Sequence, residues 1–185
     1  MKDKLIADIE RKMIVTIDKI VHEFNTIRTG RASVSLLDRI FIDYYGTKTP
    51  LKHISNISLP DPKTIVISPY EPKFLKDIEK QILASDLGLN PSNDGKVIRL
   101  LIPPLNEERR KELVKVVKKI AEDGRVAIRN IRREGIEDFK KLEKKSEITE
   151  DDLKMLEEEI QDLTDSYIEK INKILAQKES EIMEV

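Results

Sequence analysis

The chain has 185 residues, 34 of them basic and 35 acidic, a formal net charge of −1, no cysteine and no tryptophan. The absence of cysteine excludes disulfides, thiol catalysis, cysteine zinc sites and iron–sulfur clusters, and fits a reducing compartment. At 39% apolar the chain can bury a core, which argues against wholesale disorder, and its length suits one domain or two small ones.

Acidic residues enter at Asp3 and Asp8 with no apolar run behind them, so a secretory leader is not expected. Runs such as Ile40-Phe41-Ile42 and Leu100-Leu101-Ile102 are far too short to cross a bilayer. The expectation is a soluble, cytoplasmic protein with no membrane association.

Residues 3–27 read as a long helix. Ile6, Ile9, Met13, Ile17, Ile20, Phe24 and Ile27 recur every three or four positions and make one apolar stripe. Thr29-Gly30 ends it, since glycine accepts the left-handed cap conformation. The middle of the chain differs in kind. All eight prolines lie between Pro50 and Pro104, and proline is excluded from long helix interiors. Strands are predicted over 39–45, 53–59, 64–68 and 96–102, with turns at Gly46-Thr47, Pro60–Lys63 and Asn93–Gly95. Between them, 72–85 reads as a short amphipathic helix with Phe74, Leu75, Ile78, Ile82 and Leu83 facing inward. The pair Tyr44-Tyr45, read as strand, would point to opposite faces, one to the core and one to the rim. A stacking platform for bases there is a weaker reading.

Helix returns over 107–145, capped by Asn106 and opened by Glu107 and Glu108, which suit the positive helix start. Its stripe is Leu113, Val117, Ile120, Ala127, Ile131 and Leu142, widened by Val116, Ile128 and Phe139. A third helix covers 150–183, with Thr149 and Asp152 as an approximate capping box and a stripe from Leu153 through Tyr167 to Ile174. Helices of roughly 60 and 50 Å with one apolar stripe each cannot stand alone. The fold class expected is α+β: a long antiparallel three-helix bundle formed by both chain ends, with an inserted smaller β/α domain. The bundle would hold 1–30 and 105–185, and the inserted domain 31–104. The two crossings, 28–31 and 103–105, would form a hinge.

Chemistry-bearing motifs are missing. The six glycines form no phosphate-binding loop. His22 and His53 read as rim or solvated residues. The acidic runs 150–152 and 157–159 sit on consecutive helical positions that do not converge on one ion, so no metal site is expected. No catalytic residue and no cofactor is expected.

Charge is unevenly distributed. Residues 106–145 carry 14 basic and 9 acidic side chains, and residues 147–185 carry 4 and 13. Arg125, Arg129, Arg132 and Arg133 cluster on one side of the second long helix, flanked by Gly124 and Gly135. Arginine's planar fork grips phosphate in two places and stacks on bases. Two readings stay open: phosphate binding, or pairing with the acidic third helix. The glycines, each costing about 1 kcal/mol of helix stability against alanine, would allow close approach of another helix or a ligand.

Several segments resemble the ribosome recycling factor family. They are Ile27-Arg28-Thr29-Gly30-Arg31-Ala32-Ser33, Tyr44-Tyr45-Gly46-Thr47 with Pro50-Leu51, and 84–91. Ile98-Arg99, Pro103-Pro104-Leu105, 107–111 and the run from Val126 to Arg133 continue the match in order through nearly the whole chain. The resemblance implies a three-helix bundle with a smaller β/α domain on a flexible double linker. It implies a protein that binds the post-termination ribosome and acts with elongation factor G, a GTPase, to split the subunits and free the messenger. The bundle would lie on large-subunit, 23S-type ribosomal RNA. Arg129 and Arg132 match the motif as RNA contacts, with Arg28, Arg31 and Arg133 as further candidates. The smaller domain would swing on the hinge residues Arg28, Thr29, Gly30, Arg31, Pro103, Pro104 and Leu105. The chain would act as a monomer. Asn106 stands where the family commonly has threonine, and Gly124 and Gly135 where helix formers are expected. Two rivals are a coiled-coil scaffold for another protein and an enzyme seated in the middle unit.

Overall fold

The computed structural model describes residues 2–184, and the domain limits expected at 1 and 185 lie outside them. The chain forms two compact units, one holding α1 and Lys111–Met183, the other Thr26–Arg110 together with Glu184.

The first unit is built on α1 (Lys2–Asn25), α4 (Glu107–Lys144, whose first turn belongs to the second unit) and α5 (Glu150–Met183). The direction of packing follows from contacts along the helices. Gly124 faces Ile20 and Ile171, and Gly135 faces Ile9 and Ile160, so α4 runs antiparallel to both partners. The Tyr167 hydroxyl donates to Glu10 at 3.1 Å and Lys2 pairs with Asp152 at 2.7 Å, so α1 and α5 run parallel. Met13, Val117, Ala121, Ile128, Phe139, Ile160 and Ile171 are sealed from solvent between them.

The stripe of α4 is centred differently from the sequence reading. Ile128 and Phe139, expected at its edge, are fully buried, while Val116 is exposed. Val116 lies about 100° around the helix from buried Val117, outside the sector that two flanking helices can cover. The caps are as read. Asn106 Oδ1 accepts from the Arg109 amide at 2.7 Å. The Thr149 hydroxyl accepts from the Asp152 amide, and the Thr149 amide donates back to Asp152, both at 3.1 Å. Hydrogen bonding to Lys2, then to Thr149, pulls the Asp152 carboxyl down to about 2.

The second unit carries a four-stranded antiparallel sheet in the order β3-β4-β6-β5, from β3 (Ser55–Asp61), β4 (Thr64–Pro69), β5 (Pro91–Asn93) and β6 (Ile98–Leu101). Ile65 opposes Leu100 and Ile67 opposes Ile98, all four fully buried on the face that α3 (Leu75–Ala84) covers with Leu75, Ile78 and Ile82. A separate hairpin, β1 (Phe41–Tyr44) with β2 (Thr47–Pro50), adds Ile42 to this core. A single helical turn, α2 (Leu51–Ile54), buries Leu51 and Ile54 where strand was predicted from residue 53. Leu83, expected to face inward, is 58% exposed, because the apolar face of α3 closes on Ile78 and Ile82.

Tyr44 and Tyr45 also depart from the strand reading. The strand ends at Tyr44, and Tyr45 (φ 51°) and Gly46 (φ 83°) form the two-residue turn with positive φ at both positions. That reversal brings the two phenols together. Both hydroxyls donate to Glu71, one to each carboxylate oxygen, at 2.7 Å. Lys73 pairs with Glu71 and also donates to the Tyr45 hydroxyl. These bonds, Tyr44 first, hold the Glu71 carboxyl down to about 2 against an ordinary value of 4.5. A depressed carboxyl adds stability that is full above its unfolded value and is lost as pH falls toward its folded one. Melting of the wild type is therefore expected to soften between pH 4.5 and about 2. Glu71→Gln should flatten that part of the curve, and an unchanged profile would show that the cluster adds nothing to folding.

Candidate nucleic-acid interface

Along α4, at about 100° per residue, Arg125, Arg129, Arg132 and Arg133 fall within a sector of about 100°. The core-facing Gly124 and Ile128 set the inner edge of this sector, so the four guanidinium groups occupy one flank of the helix.

Their partners decide what the flank can do. Arg125 donates through Nη1 to Asn172 Oδ1 of α5 at 2.7 Å and through Nε to Glu122 at 2.9 Å. Arg129 reaches the other oxygen of Glu122 at 3.3 Å. Arg132 donates to Gln161 Oε1 of α5 at 2.9 Å, and Gln161 donates onward to Asp165 at 2.8 Å. Arg133 is exposed and has no hydrogen bond or ion pair among the described residues. The groups that α5 offers to these arginines are carboxamide oxygens. These fix the position of a guanidinium without cancelling its charge.

Two acidic side chains of α5 reach lysines of α4 instead. Lys118 meets Glu179 and Lys140 meets Glu157, each at 3.7 Å, one on either side of the arginine segment. The α4–α5 attraction visible in the charge counts is thus carried by lysines toward the ends. Among the described residues, Arg125 and Arg129 meet one carboxylate, Glu122, whose acidity is strengthened by Arg125 first and Arg129 second, and Arg132 and Arg133 meet none. Each arginine keeps guanidinium donors free, and the flank carries more positive than negative charge, the chemistry a phosphate group would need.

The other sequence-predicted residues lie in the second unit. Arg28 donates to two main-chain carbonyls, Leu87 O at 2.6 Å and Asp86 O at 3.0 Å. Arg31 pairs with Glu184 at 3.6 Å. The crossings 28–31 and 103–105 line one cavity of about 200 Å3, together with Leu36, Leu87 and Leu89. His22 and His53 are both exposed. Among the described residues no cluster of His, Cys, Asp or Glu could hold a metal ion, and no helix is long and apolar enough to cross a membrane.

Sequence reasoning missed Glu122, Asn172 and Gln161. The first was legible as the acidic residue one turn before Arg125. The amides were not, because their role depends on the antiparallel register of α5 against α4.

A family model described as ribosome recycling factor matches residues 20–183. The ribosome-recycling factor of Caldicellulosiruptor bescii is 58% identical over 176 residues, covering 95% of this chain and 96% of that one. That of Thermosynechococcus vestitus is 56% identical over 180 residues, covering 97% and 99%. A solution structure of a ribosome recycling factor superposes with a TM-score of 0.78 at 41% identity, covering 100% of this chain and 98% of that chain. A second structure describes the T. thermophilus ribosome recycling factor and the E. coli elongation factor G bound to the E. coli post-termination complex. It matches at TM-score 0.70 and 45% identity, covering 99% of each chain.

Proposed function

Because the chain belongs to the ribosome recycling factor family, we propose that it binds the post-termination ribosome in the cytoplasm and, with elongation factor G, splits the subunits and frees the messenger. The chain supplies no bond chemistry in this reading. It supplies a stiff lever, a phosphate-gripping flank and a smaller unit that the GTPase can push. The bundle is the lever, and Arg129, Arg132 and Arg133 grip 23S-type ribosomal RNA. The smaller unit swings where the two crossings meet the long helices. The protein works as a monomer.

The observation that supports the RNA assignment is the excess positive charge on one flank of α4, where Glu122 meets two of the four arginines. The acidic helix beside it holds Arg125 and Arg132 through amides, and among the described residues its ion pairs to α4 fall on Lys118 and Lys140. Arg28 and Arg31 are left out of the proposed RNA face, since their guanidinium groups are engaged on the smaller unit.

The test is light scattering of post-termination ribosomes mixed with the chain, elongation factor G and GTP. A fall in scattering that needs all three components is the expected result. No fall with the chain present would refute the proposal. The same assay checks the crossings. Gly30 sits at φ +75°, which proline, fixed near −65°, cannot adopt. Gly30→Pro is expected to lower the splitting rate more than large-subunit affinity, and equal loss of both would argue against a role in the swing.

A further inference from the structure

The crossings expected to bend share the packing of the smaller unit. Arg28 forks onto two successive carbonyls, Asp86 O and Leu87 O. They lie two and three residues past Ala84, the last residue of α3, at the negative end of that helix. A planar fork on two acceptors fixes orientation as well as distance. Further along, Thr29 is 8% exposed and the Ala32 amide donates to Pro62 O at 2.6 Å. The second crossing is held at the neighbouring carbonyl: the Ile102 amide donates to Lys63 O at 2.8 Å. Pro62 and Lys63 form the turn between β3 and β4, so one turn anchors both crossings. The crossings also touch each other. A Cβ on Gly30 would sit 3.4 Å from Leu105 Cγ.

We infer that Arg28 is a positioning residue that clamps the first crossing to the smaller unit, so that bending is confined to the short joins with the long helices. The helical ladder of α1 ends at Asn25, and α4 starts at Glu107 on its Asn106 cap. Only those short stretches lie between the clamped segments and the long helices. The clamp makes the swing a rotation of one stiff body, and a push on the smaller unit is transmitted to the helix ends instead of being absorbed in a slack linker. Its consequence for splitting rests on the function proposed above; its conformational content does not.

Residual dipolar couplings of backbone amides in the full-length chain, free of ribosomes, test the assignment. In the wild type the couplings of 28–31 and Leu105 should fit the alignment of the smaller unit as well as those of β4 and β6 do. In Arg28→Ala the couplings at 28–31 should shrink about twofold or more. In Arg28→Lys, where one ammonium replaces the fork, the loss should be partial. Wild-type couplings already averaged over 28–31, or an Arg28→Ala chain with couplings unchanged, would overturn the clamp. The ribosomal counterpart is a slower splitting rate in Arg28→Ala with large-subunit affinity kept. A selective loss of affinity with splitting proportionate to it would make Arg28 an RNA contact and overturn the clamp equally.

Discussion

Leucine at position 124 is expected to destabilise the bundle by about 3 kcal/mol, a fall in melting temperature of roughly 10 °C. Glycine inside a helix costs about 1 kcal/mol against alanine, so on propensity alone any substitution at Gly124 or Gly135 should stabilise. Packing reverses that sign. A Cβ at 124 would lie 2.2 Å from Ile20 Cδ1 and 3.1 Å from Ile20 Cγ1, and one at 135 would lie 2.6 Å from Ile9 Cδ1. The two glycines are three helical turns apart on one face of α4, and so are Ile9 and Ile20 on α1, so each isoleucine fills the notch left by a glycine. Ile20 is 3% exposed, so its side chain can make room only by shifting within a close-packed core. Alanine sets one displaced methyl against the propensity gain and should come out milder. Leucine adds four carbons and must push the helices apart. Thermal unfolding followed by helical circular dichroism should rank wild type above Gly124→Ala above Gly124→Leu. A leucine variant that melts at or above the wild type would refute the notch packing.

The second large effect is functional. Arg129→Ala/Arg132→Ala is expected to weaken binding to the large subunit about 100-fold, the size for two lost charge-assisted contacts. The fold should survive. Among the described residues Arg129 bonds only to Glu122 on its own helix, and Arg132 to the half-buried Gln161. Loss of affinity with an unchanged melting curve would place these groups in recognition. A lowered melting temperature matching the loss would instead make them structural. Arg133→Ala, which breaks no contact in the free protein, offers a variant free of that ambiguity and should lower affinity by a smaller factor.

The long helices were readable because each carries one stripe at helical spacing, with caps at Asn106 and Thr149 that behave locally. The family resemblance rested on short runs such as 27–33 and 126–133, which need no knowledge of packing. What was not readable depends on partners distant in sequence. β2 contains Lys48 and ends in Pro50, and β5 begins with Pro91. Both are short strands at sheet edges, where proline is tolerated and the pattern is weak. Leu51 and Ile54 are buried by one helical turn, which alternation over 53–59 conceals. Val116 and Leu83 look like stripe residues until the neighbouring elements fix how wide each stripe can be. The arginine flank was visible as a cluster. Its remaining charged could not be judged from counts, because the choice between Asn172, Gln161 and the nearby carboxylates of α5 belongs to the register.

If the arginine flank of α4 binds ribosomal RNA, as proposed, its affinity depends on salt through the phosphates it neutralises. Co-sedimentation with purified ribosomes over a salt series should show wild-type affinity falling steeply as salt rises. For Arg129→Ala/Arg132→Ala the logarithmic slope should be shallower by about 2, one for each phosphate contact removed. Equal slopes for the two proteins, or wild-type binding indifferent to salt, would contradict it.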